Sequence, residues 1–245
     1  MKMQIDDFLD LVKSRRSIRV FKPDPVPRES IEKILEAGRW AMSGANGQPW
    51  EFVVVQDRAM IDKIATLYAE TSRKDGIEFE THLREELRQP WIYTAKGPPG
   101  FRDAPVIIAI CGDMRRVQAS VVQAWLISGQ NILLENLANC SQIIHLAAAA
   151  LGLASQWVSI CRVYEPEFKA LLGVPAYFRI PTIIPIGYSA YEPGTAYRRE
   201  LSEIVHWENY DMSKYQSNED ITNWLVELRK RMQVRYPVSR KSAKE

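Results

Sequence analysis

Arg15-Arg16-Ser17-Ile18-Arg19 places three guanidiniums and one hydroxyl within five residues. Guanidiniums bring charge and forked donors, and serine adds one short neutral bond, so the group suits a dianionic phosphate. Basic residues are also favoured at helix C-termini, where they meet the last carbonyls. Taken alone, the cluster reads equally well as a cap. A second group is Ser43-Gly44-Ala45-Asn46-Gly47-Gln48-Pro49-Trp50. Its Asn and Gln side chains present donor and acceptor together, as the edge of a polar heterocycle such as a flavin requires. Its glycines permit close backbone approach. The plainer reading is a helix-to-strand turn that ends in a core tryptophan.

Other chemistries find little to work with. The chain carries no G-x-G-x-x-G after a strand, no Walker loop and no G-x-S-x-G elbow. His82, His145 and His206 are isolated, without a second ligand at metal spacing, so no metal site is expected. His145 lies in an apolar helix and reads as a satisfied core histidine. Glu85-Glu86 reads as part of a solvated face. Cys111, Cys140 and Cys161 are too far apart for any C-x-x-C spacing, and their sparse, odd count fits a reducing compartment. With 32 basic against 30 acidic residues, the net charge is +2, which gives no electrostatic case for nucleic acid or an anionic membrane. The first twenty residues are charged throughout, unlike a secretory signal, and Ile143 to Leu153 is too short to span a bilayer. A cytoplasmic protein is expected.

The elements that must position the two groups follow from periodicity. Asp6 to Arg15 has Phe8, Leu9, Leu11 and Val12 at helical spacing, and Glu29 to Met42 repeats the pattern with Ile31, Ile34 and Leu35. Pro23, Pro25 and Pro27 force an extended link between them. Strands are expected at Phe52 to Val55, Pro105 to Cys111, Gln156 to Cys161 and Ile180 to Tyr188. Arg58 to Glu70 reads as amphipathic helix. From Thr71 to Arg102 the chain is charged and carries Trp91, Tyr93 and Phe101, which suggests a lid-like insert or a solvated helical excursion. Ser120 to Leu153 is apolar on nearly every side, so it lies either in the centre of a large core or at an oligomer interface. Glu165 to Leu172 reads as a short helix, and a helix capped by Asn218 ends the chain before a basic tail.

Taken together and in order, SRRSIRVFKPDPVP, SGANGQPWEFVVV, DAPVIIAI, LGLASQW and IPIGYSAYEP followed by Tyr197-Arg198-Arg199-Glu200-Leu201 resemble the nitroreductase family over roughly residues 8 to 206. The resemblance implies an α+β fold, with a central mixed β-sheet flanked by helices, and an obligate homodimer carrying FMN at its interface. It assigns residues 1–206 to the FMN-binding domain, with the insert at about 71–102. Residues 207–245 lie outside the resemblance; their Trp207, Tyr210, Tyr215 and Trp224 have no place in the family core, so an arm wrapping the partner subunit is expected.

By the same resemblance, Arg15, Arg16, Ser17 and Arg19 would hold the phosphate and ribityl end, with Arg198 and Arg199 closing on that phosphate. Trp157, Val158 and Ser159 would lie along the ring through backbone groups. Ser43, Asn46 and Gln48 would edge the ring, Ser43 reaching the partner's flavin. Gly44 and Ala45 would meet the substrate, and the aromatic-studded composition of the insert offers Trp91, Tyr93 and Phe101 as stacking candidates for it. Met42 stands where the family turn often has proline, and Gln142-Ile143 where it often has Gln-Asn. The implied activity is NAD(P)H-driven, ping-pong reduction of nitroaromatic or quinone acceptors, with hydride carried at flavin N5 and no catalytic side chain. A related flavin enzyme with a dedicated substrate (reductive dehalogenase, oxidase or flavin-cleaving type) and a non-catalytic FMN-binding protein are the alternatives.

Overall fold

The computed structural model describes residues 4–82, 85, 98–118 and 129–234. Its centre is built from two isoleucine-rich, largely apolar runs of the sequence. Strand β3 (Val106–Asp113) is buried along its whole length, and β6 (Phe178–Ser189) is buried through its middle. Such runs, without polar alternation, are what a strand covered on both faces requires. Around them lie β1 (Phe21–Lys22), β2 (Trp50–Val55), β4 (Ala154–Ser155) and β5 (Val158–Ser159). The sheet order is β1-β6-β3-β2, with β4 and β5 also paired to β6. Strand pairings among the described residues are antiparallel; a parallel bridge between Ser17 and Ser155 makes the sheet mixed.

Side chains alternate across a strand, and β3 therefore divides its residues between two cores. Ile107, Ala109 and Cys111 face helix α3 (Arg58–His82) through Ile61, Ile64 and Ala65. Val106, Ile108 and Ile110 face α2 (Arg28–Arg39) through Ile31 and Ile34. On that side they also meet a long helix that contributes Leu133, Leu137, Cys140, Ile144 and Ala148. The expected helices are present, with α1 at Ile5–Ser14. A five-residue helix, α4 (Met114–Gln118), follows β3, and the long helix is α5 (Gly129–Ala150). Helix α6 covers Glu165–Leu172, as read from the sequence. Within the expected Gln156 to Cys161 strand the structure has the two-residue β5, and β4 lies just before it.

Apolar residues of two helices remain open on the chain. Helix α1 buries none of its residues and exposes Ile5, Phe8, Leu9 and Val12. Leu134 and Ile143 of α5 are also exposed, nine residues apart and so on opposite sides of the helix. No described helix is long and apolar enough to cross a membrane.

The chain divides into two compact units, residues 1–72 with 97–193, and residues 73–96 with 194–245. The sheet and both cores belong to the first. In the second, α7 (Leu201–Ile204) and a 3₁₀ turn at Met212–Lys214 are joined by the Lys214 ammonium, which donates to the carbonyls of Ser202 and Val205 at 2.8 Å each. His206 stacks on Tyr210 at 4.2 Å between ring centroids. Helix α8 (Asn218–Val234) begins with Ser217, not Asn218, as its cap: Ser217 Oγ accepts from the Asp220 amide, and Asp220 accepts in return from the Ser217 amide. This is a reciprocal capping box.

The described part of the insert fits one of its two readings and departs from expectation at one residue. Helix α3 continues past Glu70 to His82, so the insert begins as helix. Phe101 is no solvent-facing stacking residue: it is fully buried, edge-to-face with Tyr68 at 5.3 Å. Its apolar ring gains more from the core than from a polar surface. Trp91, Tyr93 and residues 119–128 lie outside the described residues.

Candidate functional site

Where α1 ends, the chain leaves the helix and lies beside β4. The Ile18 amide donates to the Ser155 carbonyl at 3.0 Å, and Ser17 bridges Ser155. Ile18 is buried, which leaves Arg15, Arg16 and Ser17 half-buried and Arg19 exposed. Arg16 Nη1 donates to the carbonyls of Lys13 and Arg15, so it does cap α1. The Arg19 carbonyl is approached so closely by Gly100 that a Cβ there would overlap its oxygen. The end of the KGPPG segment thus packs directly on the arginine segment, and only glycine fits.

Residues 155–159 form the neighbouring wall. Val158 is buried, whereas Trp157 is 40% exposed and its indole N–H donates to Ser159 Oγ at 3.0 Å. Beneath them lies His145 of α5, 3% exposed. Its Nδ1 is hydrogen-bonded to Ser155 Oγ at 2.7 Å, and its ring stacks on Trp157 with centroids 6.1 Å apart. Its Nε2 is buried without a protein partner, as is Gln156 Oε1. The expected satisfied core histidine is therefore only half satisfied. A buried polar atom left unpaired costs about 1–3 kcal/mol. Burial, and then the charge of Arg15, lower the His145 pKa to about 4, so the ring is neutral near pH 7.

The turn at 43–48 is built differently from its sequence reading. The left-handed residues are not its glycines but Ala45, Asn46 and Gln48, at φ 51°, 52° and 44°. For alanine that conformation costs about 1–2 kcal/mol, and it persists where the surroundings over-determine it. Here Ser43 Oγ accepts from the Gln48 amide at 3.0 Å, and Asn136 Oδ1 accepts from the Gly44 amide at 3.1 Å. Asn136 is buried and belongs to α5. The result is an exposed Ala45-Asn46 and Gln48 edge on a fixed backbone, followed by a buried Trp50. Asn136 escaped the sequence reading because an asparagine inside an apolar helix gives no periodic signal.

The structure thus joins Arg15 to Arg19 with residues 155–159 over the C-terminal end of α5. It holds the 43–48 turn nearer that helix's N-terminal end. Asn136 and His145 are nine residues apart, or about 13 Å along the axis. Arg198 and Arg199 belong to the second unit and are exposed. Arg198 Nη1 donates to the Tyr197 carbonyl at 2.7 Å, and Arg199 lies 3.5 Å from Glu203. Cys111 and Cys140 have thiols pushed up to about 12, chiefly by burial, and are unsuited to nucleophilic work. No cluster of potential metal ligands occurs among the described residues.

The site offers anion-binding side chains beside a half-open wall with unpaired polar atoms, and a rigid polar edge on a separate turn. Comparison with known proteins agrees with a family built on these parts. The "Nitroreductase family" profile matches residues 12–188. A candidate NADH dehydrogenase/NAD(P)H nitroreductase of Methanothermobacter thermautotrophicus is 31% identical over 193 residues, 77% of this chain and 81% of that protein. Iodotyrosine deiodinase 1 of Rattus norvegicus is 30% identical over 200 residues, 77% of this chain and 64% of the deiodinase, whose full length the chain does not span. An FMN-dependent nitroreductase of Clostridium difficile R20291 superposes with a TM-score of 0.60 at 25% identity, over 82% of this chain and 99% of that one. A profile match that runs from the arginine segment to the end of the central strand has one reading: the chain belongs to the nitroreductase family.

Proposed function

We propose that the protein is an FMN-dependent oxidoreductase that draws on NAD(P)H to reduce a small aromatic acceptor, a nitroaromatic or a quinone, in a ping-pong cycle. The observation that carries this reading is the Ile18–Ser155 hydrogen bond, which fixes the arginine segment against the wall of residues 155–159. A ligand with an anionic end and a planar, polar-edged ring fits that pairing. Arg15, Arg16, Ser17 and Arg19 supply donors for a phosphate, and His145 Nε2 and Gln156 Oε1 are buried polar atoms without protein partners. Two arginine clusters and no adenosine fingerprint favour a terminal monophosphate, hence FMN over FAD.

Bound FMN would supply the redox chemistry, taking hydride from the nicotinamide and passing electrons to the acceptor. The chain's own residues then bind and orient. Arg15, Arg16, Ser17 and Arg19 would neutralise the phosphate, and Arg198 and Arg199 carry further charge-assisted donors suited to it. The backbone of Trp157, Val158 and Ser159 lines the ring. Ser43, Asn46 and Gln48 present donors and acceptors to its edge, with Gly44 and Ala45 on the substrate side. The site is completed by a second copy of the chain, which would cover the exposed apolar residues of α1.

Rapid mixing of the purified protein with NADH or NADPH tests the activity. The flavin absorbance is expected to bleach and then return on adding a nitroaromatic or quinone, with parallel double-reciprocal plots. A flavin that stays oxidised with both nicotinamides would leave a non-catalytic FMN-binding protein. The 30% identity to a deiodinase supports a second reading, reductive dehalogenation of a halogenated aromatic amino acid. A change in the flavin spectrum on adding a halotyrosine favours it; no change favours the nitroaromatic and quinone reading.

A further inference from the structure

We propose that His145 is a positioning residue that sets the wall facing the cofactor, an inference that rests on the FMN reading above. Two contacts of its own and one of its neighbour place it there. It is hydrogen-bonded to Ser155, whose carbonyl in turn receives the Ile18 amide; it stacks on Trp157; and Trp157 is tied to Ser159. A single buried side chain of α5 therefore touches the strand on which both the arginine segment and residues 157–159 depend.

Packing alone does not account for a histidine here. Its neighbours on the buried face of α5 are Leu137, Ser141, Ile144 and Ala148, and an aliphatic residue would leave no unpaired Nε2. Stability is thus not what the position optimises. The ring combines two roles no aliphatic can: an acceptor or donor for Ser155 on one edge, and a flat face against Trp157. Trp157 alternates with Gln156 along an extended segment, so the ring also decides which side of the segment Gln156 is turned towards.

The decisive variant is the double substitution His145→Leu with Ser155→Ala, which removes both members of the polar pair and leaves neither orphaned. It is expected to unfold at the wild-type midpoint or above, yet to bind FMN roughly five- to tenfold more weakly in titrations of the apoprotein. The visible circular dichroism of the bound flavin should change as well. His145→Phe keeps the stack but drops the bond to Ser155 and should show the same two effects. His145→Gln retains a hydrogen-bonding edge and should recover part of the affinity. Should the double variant fail to fold, His145→Phe carries the test.

Wild-type affinity and an unchanged flavin dichroism in the folded variants would overturn the positioning role. The same result follows if stability falls while the flavin signals stay as they were, since that marks a purely structural residue. If the wild-type protein itself binds no FMN, the cofactor reading fails first and this inference falls with it.

Discussion

Alanine at Arg16 or at Arg198 is expected to weaken FMN binding ten- to hundredfold. Each change removes one charge-assisted partner of a phosphate, worth about 1.5–3 kcal/mol. Arg16 has a second role, because its Nη1 already meets the Lys13 and Arg15 carbonyls at the end of α1. Loss of that exposed cap lowers stability by about 1 kcal/mol or less, so the two roles differ in readout. A urea midpoint reports the cap, and fluorescence titration of the apoprotein with FMN reports the phosphate contact. Affinity unchanged in both variants would reduce these arginines to a helix cap and a carbonyl-bonded surface residue.

Mixed dimers should recover activity that neither parent has. The 43–48 turn is anchored through Asn136 and the arginine segment lies beside His145, about 13 Å apart on the same helix. The exposed apolar residues of α1 call for a covering partner, and the family resemblance implies that one chain supplies the polar edge and its partner the phosphate site. Arg16→Ala protein and a variant with Ser43, Asn46 and Gln48 all replaced by alanine are each expected to be nearly inactive. After full subunit exchange at equal amounts, half the dimers are mixed and each has one intact site, giving about a quarter of wild-type activity. No recovery despite proven exchange would mean that each site is built from a single chain.

Much of this was legible in the residue order because the signals are local. The buried strand β3, the helix α2 and the cap-forming Arg16 all rest on periodicity or on contacts within a few residues. What escaped depends on distant pairings. Nothing near Asn136 in the chain reveals that it holds the Gly44 amide, 92 residues away. His145 looked like ordinary core until its one-sided bond to Ser155 and its open Nε2 were in view. The glycines at 44 and 47 drew attention as turn formers, yet the left-handed conformations fall on Ala45, Asn46 and Gln48. At Ala45 and Gln48 that strain is imposed by surrounding hydrogen bonds and leaves no mark on residue type, whereas Asn46 is of a type that tolerates it. Phe101 misled for a related reason: an aromatic in a charged stretch resembles a lid residue until Tyr68 is found against it.

The central claim is that this chain holds FMN. Heating the purified protein, separating the released small molecules by chromatography and comparing them with standards tests it most directly. The account predicts a yellow protein that releases FMN, close to one per chain; release of FAD, or of no flavin from a protein that also fails to take up added FMN, would contradict it.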